Sequence, residues 1–229
     1  MKRAFPILGV LTAVLLSYGL YEALVAAPTE QTMGDVQRIF YYHVSSAWTA
    51  FLLFTINFVA SVIYLIRRSP VADPVAVVTA EVGLVFCTVV LVTGPIWARP
   101  VWGIWWTWDV RLTSTLVLWL IYVSYLMLRR FSTSGQTPLL AAVLAVFGAL
   151  DVPLVYFSIW FFRTQHPQPV IGGGGSIDSR MMHALLINWL AFLCFAFLVC
   201  WSRYRLEMLR REVEEIQSQK SMFEARGAR

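Results

Sequence analysis

Long apolar blocks alternate with short polar connections along most of the chain. Six blocks approach or reach the roughly 20 apolar residues that a helix needs to cross a bilayer. Because irregular backbone cannot face lipid, each block is predicted to be an α-helix. They cover approximately residues 7–27, 44–66, 75–94, 112–128, 139–161 and 181–201. The pattern therefore predicts an all-α, polytopic membrane protein with six transmembrane helices.

Composition supports a membrane protein rather than a soluble one. The 229 residues are 59% hydrophobic and 14% charged, whereas a soluble domain is about half apolar and about a quarter charged. The net charge of +5 does not indicate nucleic acid, because the basic residues flank apolar blocks, as membrane anchors do. We expect membrane lipid as a partner and no nucleic acid.

The distribution of Lys and Arg predicts the orientation. Basic residues cluster before the first block, after the second and fourth, and after the last, a bias typical of cytoplasmic connections. They are Lys2, Arg3, Arg67, Arg68, Arg129, Arg130, Arg203 and Arg205. We therefore expect both termini in the cytoplasm. The first block also resembles a cleavable signal peptide, but it is long for one, and we expect it to remain.

The chain after the last block changes character. Apolar residues recur at spacings of three and four among Arg and Glu, as in an amphipathic helix or a short coiled coil. They are Leu206, Leu209, Val213 and Ile216. We expect a membrane domain at 1–201 and a cytoplasmic amphipathic tail at 202–229, which lies on the membrane or binds a partner. The glycine-rich run at 172–176 is expected to be a native flexible loop.

The strongest local signal is the segment 93–114, which we call the Trp-rich segment. Five Trp fall within twelve residues, at 97, 102, 105, 106 and 108. One interpretation is an aromatic belt at the membrane interface, although belt residues are usually scattered. The alternative is that Trp105, Trp106 and Trp108 form a flat apolar platform for a planar macrocycle. Asp109 is also placed to cap the fourth helix.

These residues carry a resemblance to a known family. Residues 102–114 read WGIWWTWDVRLTS and resemble the WWD motif of haem-handling membrane proteins. Within that superfamily the chain is most similar to CcmC, the haem exporter protein C family of cytochrome c maturation. The segments RIFYYHV at 38–44 and VPLVYFS at 152–158 are similar to the same family.

The resemblance implies a function and a set of partners. It implies a bacterial inner-membrane subunit that holds haem b on a periplasmic WWD loop, here about residues 95–111. Haem would pass to the haem chaperone CcmE, with the transporter subunits CcmA and CcmB and the small membrane protein CcmD. It implies a transfer subunit rather than an enzyme, and any ATP use belongs to a partner, because this sequence contains no phosphate-binding motif.

Histidine and arginine give the candidate contacts to haem. His43 and His183 stand at predicted outer helix ends, and two imidazoles can bind iron from opposite faces. The resemblance implies that these two positions hold the axial ligands, and we expect His166 to be solvated or to lie behind them. Arg can pair with haem propionates, although contact with lipid headgroups is the alternative. The expected haem-binding residues are His43, His183, Trp102, Trp105, Trp106, Trp108, Asp109, Arg38 and Arg111, with Arg99 as a further candidate.

Two other function classes remain open at this stage. A permease would line several helices with polar residues, and only Asn57, Glu81 and Asp151 offer much. A cytochrome b for electron transfer usually places paired His inside the bundle. For the two acids we favour structural roles, with Asp151 satisfying backbone groups freed by Pro153. The three Cys form no CxxC or CxxCH pattern, which disfavours a thiol oxidoreductase or a c-type cytochrome.

Overall fold

The computed structural model describes residues 4–169 and 177–227. Helices account for most of these residues, and two short turns of other helical types lie between the first two of them. The helices are α1 Ala4–Tyr21, α2 Ile39–Arg67, α3 Ala72–Trp102, α4 Val110–Phe131, α5 Thr137–Ala149, α6 Asp151–Phe161 and α7 Ser179–Gly227, and the turns are a π turn Glu22–Ala26 and a 3-10 turn Asp35–Arg38. The glycine-rich run at 172–176, together with Lys2 and Arg3, lies outside the described residues.

The helices form a membrane-spanning bundle. Within the described residues, six helical stretches are long and apolar enough to cross a membrane, with α5 and α6 together forming the fifth. The predicted all-α class with six candidate spans is thus confirmed. We call the end of the bundle that carries the Trp-rich segment the Trp end. The opposite end, which carries Arg67 and Arg129, is the Arg end.

The fifth predicted helix is broken into α5 and α6 at Leu150. Pro153 has no N–H to donate to the carbonyl of Ala149, and its ring crowds that carbonyl. α5 accordingly ends at Ala149. We expected Asp151 to satisfy backbone groups freed by this break, but its Oδ2 atom is buried and has no hydrogen-bond partner among the described residues.

Most of the Trp-rich segment is helical, in contrast to the connection expected from residue 95 onward. α3 continues through Pro95 and Pro100 to Trp102, because prolines are tolerated in membrane helices where neighbouring groups compensate for the lost bonds. The helix stops at Gly103, whose φ of 79° is left-handed and whose N–H donates to Arg99 O at 3.0 Å. Only residues 103–109 form the non-helical connection.

Aromatic stacking and a polar chain hold α2, α3 and α4 together. The rings of Phe54 and Tyr122 stack with centroids 3.8 Å apart. The Tyr122 hydroxyl donates to Asn57 Oδ1 at 3.1 Å, and Asn57 Nδ2 donates to the Ala76 carbonyl at 2.7 Å. A Cβ on Gly83 would lie 2.8 Å from the Phe54 ring, so glycine permits the close approach of α3 to α2. Asn57 therefore serves helix packing.

Ion pairs tie α7 to the Arg end of the bundle. The buried Asp73 carboxylate accepts two bonds from Arg129, at 2.6 and 3.0 Å, and one from Arg211 at 2.7 Å. Arg203 donates two bonds of 2.9 Å to Glu81. The structural role expected for Glu81 thus has a specific partner. These pairs anchor α7 to α3 over about two helical turns.

α7 is one continuous helix of 49 residues. The expected division between membrane domain and tail, at residues 201 and 202, falls within this helix and stays a prediction. The helical character expected for the tail is found. The ion pairs at Arg203 and Arg211 hold the helix against α3 just beyond the point where the apolar block ends.

Candidate haem site

Three separate segments bring two histidines together at the Trp end. His43 lies near the start of α2, Thr93 lies in α3, and His166 lies in the connection that follows α6. The His43 and His166 ring centroids are 6.4 Å apart, and the ring planes are inclined by 34°. The two histidines are far apart in sequence, and they meet because the connection after α6 returns to the start of α2.

The hydrogen bonds around these rings determine which nitrogen is free. His43 Nδ1 lies 2.8 Å from Thr93 Oγ1, and that hydroxyl donates its own proton to Val89 O at 2.7 Å. Thr93 therefore accepts, and His43 carries its proton on Nδ1. His166 Nδ1 lies 2.9 Å from the Pro167 carbonyl, which can only accept. Both rings consequently keep an unprotonated Nε2, the form in which imidazole binds a metal.

Arg111 and Asp109 lie beside the histidine pair. Burial lowers the pKa of the His166 imidazole to about 4, and the nearby Arg111 guanidinium acts in the same direction while Asp109 opposes it. His166 is therefore neutral at neutral pH. Arg111 Nη1 is buried without a hydrogen-bond partner among the described residues. An unpaired buried guanidinium nitrogen is costly, and an anionic group at this position would satisfy it.

Asp109 has the capping role expected from the sequence. Its Oδ1 accepts from the Leu112 N–H at 3.0 Å, and its Oδ2 accepts from the Thr107 hydroxyl at 3.0 Å. The cap fixes the start of α4 and with it the position of Arg111. This carboxylate therefore acts on the site by orienting its neighbour.

The tryptophans line an open cleft rather than a single flat surface. The Trp106 and Trp108 rings meet edge to face at 75°, with centroids 5.8 Å apart, so these two rings are not coplanar as the expected platform required. Trp105 and Trp108 are exposed, by 59% and 77%. Trp102 instead packs edge to face against Trp97, with centroids 5.2 Å apart.

The cleft has a size suited to a small planar ligand. Its volume is about 530 Å³, and its lining is mainly apolar, as in most small-molecule sites. The lining residues are Leu91, Pro95, Trp106, Trp108 and Leu116. The Trp106 Nε1–H is buried without a partner among the described residues, so a ligand acceptor in the cleft would satisfy it.

Arg38 makes several hydrogen bonds within the connection between α1 and α2. Its guanidinium donates to the carbonyls of Ala23 and Ala27, at 2.9 and 3.3 Å, and to the Thr29 hydroxyl at 3.2 Å. Its Nε donates to Asp35 at 3.0 Å. The side chain thus ties the π turn that follows α1 to the start of α2. Arg99 likewise donates to a local carbonyl, that of Gly103.

His183 makes its contacts with residues other than His43 and His166. Its Nε2 is 3.3 Å from the Tyr18 hydroxyl and 4.0 Å from Glu22 Oε1, and the side chain is 53% exposed. No contact between the His183 and His43 rings is found in the described part of the chain. In this structure the ring beside His43 is that of His166, and the expected pairing of His43 with His183 at a haem iron stays a prediction.

The sequence reasoning did not anticipate two contacts of His43, that of its ring with His166 and that of its Nδ1 with the Thr93 hydroxyl. A usable signal was present for His166. It is one of only three His, and it lies in a connection at the same end as the Trp-rich segment. For Thr93 no local pattern distinguishes its hydroxyl from others in membrane helices.

Comparison with known proteins places these features in context. Residues 1–219 match the family described as "Heme exporter protein C". The chain is 35% identical to the heme exporter protein C of Bradyrhizobium diazoefficiens, over 94% of this chain and 82% of that protein. It is 31% identical to the protein of that name in Haemophilus influenzae, over 91% and 86%. It is also 32% identical to a putative cytochrome c biosynthesis ccmC-like mitochondrial protein of Marchantia polymorpha, over 78% and 76%.

Proposed function

Since this chain belongs to the heme exporter protein C family, we propose that it is the haem-binding inner-membrane subunit of cytochrome c maturation. In this proposal it presents haem b at the periplasmic face and delivers it to the haem chaperone CcmE. It works with the transporter subunits CcmA and CcmB and with the small protein CcmD. The family description is that of an exporter component, and haem is here the cargo.

We propose that His43 and His166 hold the haem iron through their Nε2 atoms. Imidazole nitrogens bind first-row metals at about 2 Å, so two rings on opposite sides of one metal have centroids about 6 Å apart. The 6.4 Å separation of the two centroids fits this requirement. The two Nδ1–H groups are already directed to Thr93 and to a backbone carbonyl, an arrangement that orients ligand histidines in metal sites.

Arg111 and the Trp cleft complete the proposed site. A propionate would pair with the unsatisfied Nη1 of Arg111, in the charge-assisted geometry that guanidinium offers carboxylates. The apolar cleft beside Trp106 and Trp108 would take part of the porphyrin surface. Burial of apolar area contributes about 25 cal/mol per Å², so this contact adds to retention independently of the iron bonds.

The exposed edge of the site suits transfer. Trp105 and Trp108 present much of their surface outward, where a protein acceptor can approach haem without entering the bundle. A bound cofactor for electron transfer would instead be enclosed. This exposure supports a carrier over the cytochrome b alternative, and the open cleft at the Trp end supports it over a permease.

Single replacements of the three histidines test the ligand proposal. We expect His43→Ala and His166→Ala each to abolish the bis-histidine absorption spectrum of the purified protein and to lower haem content. His183→Ala is the matched control, and we expect it to retain both. If His183→Ala instead removes the spectrum while His166→Ala does not, the ligand pair is His43 and His183, as the resemblance implied. If the His43 and His166 double variant retains haem and spectrum, neither residue binds the iron.

Reporter fusions test the sidedness that delivery requires. We expect fusions after Arg68 and Arg130 to report the cytoplasm and a fusion near Val101 to report the periplasm. A cytoplasmic signal at Val101 would contradict delivery to a periplasmic chaperone, whatever the histidine variants show.

A further inference from the structure

A second cleft lies between α2 and α6, apart from the Trp cleft. Its volume is about 330 Å³, and its lining is mainly apolar. Two lining residues come from α2 and four from α6, and they are Trp48, Phe51, Val152, Pro153, Tyr156 and Phe157. We call this space the α2–α6 cleft. Its four α6 residues all belong to the segment VPLVYFS at 152–158, which contains neither of the proposed ligand histidines.

The path of the backbone opens this cleft. α5 packs against both α2 and α4, whereas α6 stays against α4 and makes few contacts with α2. The change follows Leu150, where α5 ends, and precedes Pro153, which has no N–H to continue the hydrogen bonds of α5. The cleft is therefore a property of the fold and does not depend on the rotamer of one side chain.

The cleft continues the gap between the two proposed ligand histidines. His43 is carried by α2, and His166 lies in the connection that follows α6, so the two rings and the two cleft walls belong to the same pair of elements. Trp48 follows His43 by five residues, or about 7.5 Å along α2. A porphyrin centred between the two imidazoles extends in its own plane beyond both rings. If the proposed function holds, one part of the macrocycle therefore enters the α2–α6 cleft.

Tyr156 is the residue of this lining that carries a hydroxyl group. It is 37% exposed, and its hydroxyl makes no hydrogen bond within the described residues. The rings of Phe157 and Trp160 pack against it, with centroids 5.2 and 5.3 Å away. A phenol held in this way, with its O–H group free, is suited to donate to a carboxylate.

The charges near Tyr156 indicate where an anionic group is favoured. Tyr156 lies within electrostatic reach of the Arg111 guanidinium, whose Nη1 has no partner among the described residues. Asp109 also acts on Arg111, but both of its oxygens already accept hydrogen bonds. Asp151 adjoins the opposite end of the cleft, and an acid there disfavours a second carboxylate. The end shared by Tyr156 and Arg111 is therefore the favoured place for one.

We propose that Tyr156 binds haem, with its hydroxyl donating to one propionate beside Arg111 while the α2–α6 cleft encloses the adjoining part of the porphyrin. Both propionates stand on one edge of haem, so a contact there fixes the rotation of the macrocycle about the axis through the iron and its ligands. Two histidines leave that rotation free, because both lie on the axis. Tyr156 thus helps to determine which edge of haem faces the exposed tryptophans.

Removal of one hydroxyl, combined with removal of the propionate charge, tests this contact. The purified full-length protein is titrated with haem and with haem dimethyl ester, and binding is followed by absorption. We expect Tyr156→Phe to weaken haem binding about three- to tenfold through loss of one hydrogen bond to a charged group. The ester lacks that charge, and its binding should change much less. Equal weakening for both ligands, or none for haem, would overturn the contact.

Two further variants separate the hydroxyl from the cleft wall. Tyr21→Phe alters an exposed tyrosine of α1 and is the matched control, which should bind both ligands as the unaltered protein does. Phe157→Ala removes an apolar wall and should weaken haem and ester alike. If Phe157→Ala changes neither, no part of the porphyrin enters the cleft and the proposal is wrong.

The absorption spectrum distinguishes failure of this proposal from failure of the proposed ligands. If haem gives a bis-histidine spectrum and Tyr156→Phe binds it normally, only the Tyr156 contact is wrong. If the unaltered protein gives no such spectrum, the ligand proposal fails and the contact fails with it. Circular dichroism in the main haem band depends on the orientation of haem among aromatic rings. We expect it to change in Tyr156→Phe and to stay the same in Tyr21→Phe.

Discussion

Replacing Thr93 by Val isolates the hydrogen bond that orients His43. The substitution keeps the shape of the side chain but removes the acceptor that lies 2.8 Å from His43 Nδ1. It leaves the Nδ1–H of a half-buried ring without a partner, which costs about 1–3 kcal/mol. Partners of this kind typically change metal affinity about 10- to 100-fold, or about 1.4–2.8 kcal/mol. We expect Thr93→Val to weaken haem retention by a factor in this range.

The measurement is the rate at which purified protein loses haem to an excess of a soluble haem-scavenging protein, followed by absorption. Thr55→Val is the control, because the Thr55 hydroxyl donates only to its own helix, at Phe51 O. Thr93→Ser retains a hydroxyl and should restore most of the retention. If Thr93→Val loses haem no faster than Thr55→Val, the tautomer of His43 is not set by this bond and the reasoning fails.

Three further predictions concern the cleft and the bundle. Trp108→Ala should keep the bis-histidine spectrum but lower haem occupancy. Transfer, measured as haem-loaded chaperone per haem-loaded protein, should fall further than occupancy. If this ratio is unchanged, Trp108 is only an interfacial anchor. Gly83→Val should lower the thermal unfolding temperature in detergent, since a Cβ there already approaches an aromatic ring to 2.8 Å and overpacking costs about 1–3 kcal/mol. Asp73→Asn should destabilise the protein by about 3–5 kcal/mol, because Arg129 is then buried without its charge partner. Glu214→Gln, at an exposed pair, should change stability by less than about 1 kcal/mol. Equal effects would show that the buried cluster adds no more stability than the exposed pair.

Those elements of the fold that depend on local properties of the chain could be predicted from the sequence. Apolar length predicts the six spans, because crossing a bilayer requires it in each helix separately. The Asp109 cap was likewise predictable, since the bond to the Leu112 N–H joins residues three apart. Pro153 signalled a kink in the fifth helix, and the interruption between α5 and α6 is confined to Leu150, whose backbone angles stay helical.

The arrangement of the candidate site depends on which helices converge, and local patterns do not encode that. His166 lies beside His43 because the connection after α6 folds back toward α2, across more than a hundred residues of chain. Arg38 shows the same limit for charge. A guanidinium at the Trp end suggested a propionate contact, yet its described bonds are to carbonyls at the end of α1. Charge identifies a group that needs a partner without identifying the partner.

The continuity of α7 also constrains how the chain can change in length. At about 1.5 Å per residue its 49 residues extend about 70 Å. Each inserted residue rotates everything beyond it by about 100°. One residue added after Arg211 would turn Val213 and Ile216 away from the line of Leu206 and Leu209, whereas seven would nearly restore it. Insertions of whole heptads after Arg211 would therefore keep these apolar residues on one face of the helix.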